Sequence, residues 1–186
     1  MPIVLLTLLF ATAASESRTF AVAPAKSTVR YHIVHKFHGA TGTSSTIEGK
    51  AVVQPDGRVL AMVRVPMASF DSGERNRDSD MRETVEASRF PFVVFKGVAR
   101  IDPQALAAGR TATVEMKVEG EVELHGVKKP VEVPLTIEFA PGSARARGTF
   151  EVSLDAFEID RPSLLFVKID DACRIELDLT LGEAKP

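Results

Sequence analysis

The sequence predicts an all-β protein, an antiparallel barrel or sandwich of about eight strands, and three observations carry that prediction. First, apolar and polar residues alternate almost without error from Arg110 to Phe139. Val114, Met116, Val118, Val122 and Leu124 face one way, while Glu115, Lys117, Glu119, Glu121 and Glu123 face the other. A period of two marks extended strands with one apolar and one wet face. Second, similar runs recur at hairpin-like spacing along the chain. Third, turn residues separate them, at Pro55-Asp56-Gly57, Gly126 to Lys129 and Pro141-Gly142. There Pro presets φ and Gly tolerates positive φ. Such strands must bring their apolar faces together, as a packed sandwich or a closed barrel.

Taken in order, Ile3 to Phe10 is a short apolar run followed by the small residues Ala11-Thr12-Ala13-Ala14. It is too short to span a bilayer. Residues 1–14 read as a secretory signal, although no Lys or Arg precedes the apolar stretch. A single domain is expected over 20–182. Thr28 to Lys36 places Val29, Tyr31 and Ile33 on one face. Ile47 to Val53 leads into the first turn, and Val59 to Met67 returns with Val63, Val65 and Met67 on one side. Ser72 to Arg89 is charged and lacks period two; Asp78 or Ser79 is placed to cap a short helix near 78–88. Phe92 to Phe95 is continuously apolar, as in a strand covered on both faces at one end. Pro103 to Ala108 reads as a second helical turn. Val131, Val133, Leu135, Ile137 and Phe139 then form one inward set, and Phe150, Val152 and Leu154 the next. In the last, Ile175, Leu177, Leu179 and Leu181 oppose Arg174, Glu176, Asp178 and Thr180.

A chain of 186 residues, 45% hydrophobic and 26% charged, suits one domain with a sizeable core. A net charge of -2 and the absence of Trp argue against nucleic-acid binding, which needs a basic stripe or stacking platforms. Cys173 is the only cysteine, so no intramolecular disulfide forms; it reads as a small buried hydrophobe. His32, His35 and His38 are spaced by three. On a strand an odd offset points neighbours to opposite faces, and His32 and His38 would stand roughly 20 Å apart. No metal site is therefore expected. His125 begins a turn with no obvious partner. Ser72 lacks the G-x-S-x-G elbow. The acidic pairs Asp78 with Asp80 and Asp170 with Asp171 read as solvated loop charges. Among Arg75, Arg77, Arg82 and Arg89 the default is internal ion pairing with the acids of the same segment, leaving room for one Arg to reach a ligand head.

At the charged break the chain resembles a known family. Ser69-Phe70-Asp71-Ser72-Gly73, then Arg77-Asp78, Met81, Val85-Glu86 and Phe90-Pro91 leading to Phe95 resemble the central signature of the YceI-like family. Ser27-Thr28-Val29-Arg30-Tyr31 and Ile47-Glu48-Gly49 are similar to its opening strands. Leu124-His125-Gly126-Val127-Lys128-Lys129-Pro130-Val131 is similar to its "hGvtkPv" hairpin. The resemblance runs from about Phe20 to Leu181. It implies an extended, lipocalin-like antiparallel β-barrel, usually periplasmic, that holds isoprenoids such as polyprenyl quinones. It implies no catalytic set. Asp80 stands where many members have His, the stretch from Thr84 to Phe90 looks shorter, and Leu154-Asp155-Ala156-Phe157 replaces an Arg-containing "Rsdf" motif.

The expectation is thus a periplasmic or secreted barrel that sequesters an apolar isoprenoid or lipid, with no resident cofactor, no nucleic acid and no stable membrane insertion. A homodimer is left open. Lumen candidates are Val29, Tyr31, Ile33, Val63, Val65, Val114, Met116, Val118, Val131, Val133, Leu135 and Ile137. Tyr31 offers a hydroxyl to a ligand head, and Arg77, Asp78 and Arg82 are candidates at the mouth. Two alternatives remain: an enzyme using the lumen with Asp78, Asp80 or His35 as acid or base, and a plugged interaction or stress module. An eight-stranded barrel is about the size at which side chains either fill the interior or leave room for one small ligand.

Overall fold

A computed structural model describes residues 16–34, 39–106, 111–161, 163–164 and 167–184. The predicted signal at 1–14, His35, His38 and the end of the turn at Pro103 to Ala108 lie outside the described residues. The strands are β1 (Arg18–Val22), β2 (Thr28–Val34), β3 (Gly39–Ser44), β4 (Glu48–Val53), β5 (Arg58–Pro66), β6 (Phe92–Arg100), β7 (Ala112–Leu124), β8 (Val127–Ala140), β9 (Ser143–Ser153), β10 (Ser163–Leu164), β11 (Val167–Lys168) and β12 (Ala172–Glu183). Among the described residues one α-helix, α1 (Arg75–Thr84), joins β5 to β6.

The main sheet runs β1-β4-β5-β6-β7-β8-β9-β12, and β1 pairs back onto β12, so eight antiparallel strands close a barrel. β2 and β3 extend the sheet beyond β12. They also complete a simpler description. β1 and β2 lie one after the other along the same edge of β12, with Phe20 opposite Glu183 and Ile33 opposite Cys173. The wall is an up-and-down meander whose first two strands are each broken once. Buried serines mend the breaks. Ser27 Oγ donates to Ala23 O at 2.8 Å and accepts the Thr180 N–H at 3.0 Å. Ser44 Oγ accepts the Thr46 N–H at 3.1 Å and shares a 2.7 Å hydrogen bond with Ser69 Oγ. Backbone groups released from the ladder are thus satisfied.

Tight turns hold the register. His125 and Gly126, at φ 55° and 75°, join β7 to β8 as a two-residue hairpin that needs positive φ at both positions. The β8–β9 ladder stops at Leu135 opposite Gly148. Counting from the flanking pair Ala140–Ser143, even-numbered β8 residues aim their N–H at β9. Pro134 and Pro130 have none to give. No ladder therefore joins 127–134 to 149–153.

Charge lies outside. Lys117 pairs with Glu132 at 2.6 Å, Arg145 with Asp178 at 2.6 Å, Arg64 with Glu48 at 2.7 Å, and Arg147 with Glu138. Solvent screens exposed pairs of this kind and leaves each worth little, so apolar burial holds the fold. The unbroken run at β6 is explained: Phe92 lies under the Arg64 guanidinium at 4.9 Å, on the outer face.

The end of the barrel beside α1 is plugged by Met67, Phe70, Val85, Leu154 and Phe157, all buried. The helix begins three residues before the predicted cap. Asp78 lies inside it, and Asp78 Oδ1 reaches back to accept the Ser72 N–H at 3.0 Å. The carboxylate does take a backbone donor, but one from the preceding loop. After α1, Glu86 turns left-handed at φ 46°, so the expected continuation to residue 88 is a turn. A 3-10 turn occupies Pro103–Leu106.

Candidate ligand-binding lumen

In a filled barrel every inward side chain would be sealed. Here Ile175 and Leu177 are only half-buried, although β12 is paired on both edges. Val63, Phe95, Met116, Leu135, Ile137 and Phe150 behave alike on five other strands. The space they face is real. A first chamber of about 110 Å³, towards α1, is walled by Val29, Val65, Phe70, Val93, Val122, Leu124, Phe150, Val152 and Ile175. A second, of about 100 Å³, is walled by Phe20, Val22, Val53, Val59, Ile101, Met116, Val118, Leu135, Ile137, Phe139, Ala144, Ala146 and Leu181, among others. Val63, Phe95, Val133, Leu177 and Leu179 line both chambers. Neither presents any polar surface. Each has several times the ~10–15 Å³ that one water needs, yet offers water no hydrogen-bond partner.

Of the predicted lumen residues, Val29 and Val65 line the first chamber, Met116, Val118, Leu135 and Ile137 the second, and Val63 and Val133 both. Ile33, Val114 and Val131 line neither and are partly buried against the core. Tyr31 also lines neither: it is 7% exposed and stands edge-on to Phe70, with ring centroids 5.4 Å apart. Sequence reasoning passed over Phe95, hidden in an unbroken apolar run, and Leu177 and Leu179. The alternation along β12 was the signal for the last two.

Tyr31 sits in a polar corner beside the plug. Its ring fits against Gly42, its ladder partner, where a Cβ would fall 2.3 Å from Tyr31 Cε1. Burial, then the negative charge of Asp78, pushes its hydroxyl up to about 12, with Arg77 acting in the opposite direction. Asp78 is buried, Arg77 is exposed on α1, and Arg82 is half-buried in the last helical turn. Ser72 Oγ is buried with no hydrogen-bond partner among the described residues.

Other candidates have structural employment. His32 Nδ1 is hydrogen-bonded to Thr41 Oγ1 at 2.8 Å, and its Nε2 lies 3.2 Å from a Glu176 oxygen. His125, expected to lack a partner, joins Phe157 O at 3.1 Å through Nδ1 and Glu86 Oε1 at 3.3 Å through Nε2, fastening the plug to the β7–β8 turn. Asp171 Oδ1 accepts the Asp155 N–H at 2.7 Å, which helps hold its carboxyl below the usual range. Cys173 is buried, and desolvation pushes its thiol up to about 12, the reverse of an activated nucleophile. Among the described residues no group of His, Cys, Asp and Glu is arranged to hold a metal ion. No helix among them is long and apolar enough to cross a membrane.

Comparison with known proteins agrees with this architecture. None of the curated proteins matches the chain. A polyisoprenoid binding domain from Saccharophagus degradans, implicated in plant cell wall breakdown, superposes with a TM-score of 0.71 at 14% identity, covering 89% of this chain and 98% of that one. BcnA from Burkholderia cenocepacia gives 0.71 at 20% identity, over 86% of this chain and 98% of its own. The Campylobacter jejuni YceI protein gives 0.62 at 11% identity, over 82% and 90%. These likenesses establish a shared fold. The family model for the YceI-like domain matches residues 20–181, and the chain belongs to the YceI-like family.

Proposed function

We propose that this barrel sequesters or carries an apolar isoprenoid, of the polyprenyl quinone kind, or a comparable lipid, and does so outside the cytoplasm. The observation that supports it best is the pair of carbon-lined chambers that share one stretch of wall. Burial supplies the affinity. Each five-carbon isoprene unit moved from water into such a lumen gains a gross ~3–4 kcal/mol, at ~0.8 kcal/mol per carbon. Ordering the tail returns part of this, and several units leave useful binding. Selectivity then rests on tail length and girth, with a few polar groups orienting the head. Tyr31, Arg77, Asp78 and Arg82, beside the plug at the α1 end, are our candidates for that role, with the plug side chains parting to admit the tail. The polyisoprenoid binding domain from Saccharophagus degradans shares the fold and lends support to the ligand class. Open chambers also weigh against a plugged module.

Mass spectrometry of organic extracts from purified protein tests the proposal, together with titration of a polyprenyl quinone into delipidated protein. A retained or saturably bound isoprenoid is expected. An empty extract and no uptake of added quinone would overturn the reading.

A further inference from the structure

The waist between the chambers contains one large side chain, Phe95, whose placement depends on two missing ones. β6 and β7 pair with Gly97 directly opposite Gly120. Both positions face the lumen, since Phe95 and Ala99 on β6 and Val118 and Val122 on β7 share their parity. A Cβ on Gly97 would lie 2.5 Å from Phe95 Cζ and 2.9 Å from Cε1. A Cβ on Gly120 would lie 2.8 Å from Phe95 Cε2. The outer edge of the ring therefore occupies the notch that the two glycines leave in the wall. Neither glycine is needed for backbone conformation, because the positive-φ glycines are 57, 73, 126 and 142. Glycine inside a strand weakens it and marks close approach of another group. What this pair supplies is room for a ring.

We propose that the Gly97–Gly120 notch holds Phe95 out of the barrel axis, and that Phe95 thereby decides whether a hydrocarbon tail extends through both chambers or stops in one. Seated, the ring belongs to the wall. Unseated, it swings across a waist otherwise bounded by Val63, Val133, Leu177 and Leu179. This deepens the carrier reading and rests on it: Phe95 becomes the determinant of tail length.

Gly97→Ala is the informative variant. The three atoms nearest the new methyl all belong to side chains, two of the Phe95 ring and Val118 Cγ1 at 2.8 Å, so the ring and the Val118 side chain yield before the strand does. Gly120→Ala is unsuitable, because its Cβ would strike the backbone oxygen of Lys96 at 2.3 Å. Binding of a two-unit and an eight-unit prenyl quinone is measured for the wild type, Gly97→Ala and Gly97→Ala/Phe95→Ala, each checked for native circular dichroism. Gly97→Ala should lose the long quinone by at least about tenfold and keep the short one within about threefold. The double variant should regain the long quinone. Equal retention of both by Gly97→Ala, equal loss of both, or no recovery in the double variant would overturn the inference while leaving the carrier reading intact. A wild type that takes up neither quinone removes the carrier reading and this inference together.

Discussion

Phe157 and Phe95 are the same side chain in the same barrel, yet Phe157 is 1% exposed and Phe95 only half-buried. Phe157 belongs to the plug beside α1, where Met67, Phe70, Val85 and Leu154 are also sealed. Phe95 faces a space that its neighbours do not fill. The difference lies in what stands opposite. At the plug, a 3-10 turn and the β5–β6 connection bring side chains in from outside the sheet. Along the lumen the wall faces only itself, and many of its members are small. Ala51 pairs with Ala61, and Ala144 and Ala146 follow one another on β9. Eight strands enclose more width than such residues can close. Apolar patterning thus specifies an inside, while residue size and the connecting loops decide whether that inside is full.

The contrast can be broken by truncation. Phe157→Ala removes a packed ring and should cost about 3–5 kcal/mol in chemical denaturation. Leu177→Ala removes a side chain that already borders empty space. It should cost under about 2 kcal/mol, below the usual range for a leucine in a close-packed core. Equal losses for the two would mean that the waist is as tightly packed as the plug.

Much of the barrel was legible because strand periodicity is local. The alternation in β7, β8 and β12 reported both strand and face. β3, Gly-Ala-Thr-Gly-Thr-Ser, gave no such signal: its inward positions include Gly42, which makes way for Tyr31. The helix was visible as a break in period, but its start was displaced because Asp78 serves Ser72 across a loop. Within the lumen, the alternation put Val63 and Val133 on inward faces but carried no sign that they meet Phe95 and Leu177 at one level. That level depends on strand tilt and register, which local pattern does not encode. The glycine pair was opaque for the same reason, since Gly97 and Gly120 are neighbours only through the β6–β7 pairing.

A smaller effect sharpens the same comparison at high pH. Burial near the plug pushes the Tyr31 hydroxyl and the Cys173 thiol each up to about 12, from ordinary values of 10.0 and 9.0. Both are neutral in the fold, whereas the unfolded chain ionises them earlier and so binds fewer protons. Their contribution is fully present below about pH 9 and declines as pH rises towards 12. Denaturation midpoints should therefore fall between pH 8 and pH 11, and fall less steeply in Tyr31→Phe/Cys173→Ala. An equal slope in that variant would show that neither group senses the plug.

The claim beneath everything else is that the barrel axis is open to hydrocarbon-sized matter on both sides of Phe95. Xenon enters dry apolar cavities, so a crystal of ligand-free protein pressurised with xenon reads this directly. The account predicts xenon inside the barrel at two places, one bordered by Phe150 and Ile175 and the other by Met116 and Ile137. A well-ordered barrel with no xenon between its strands would contradict it.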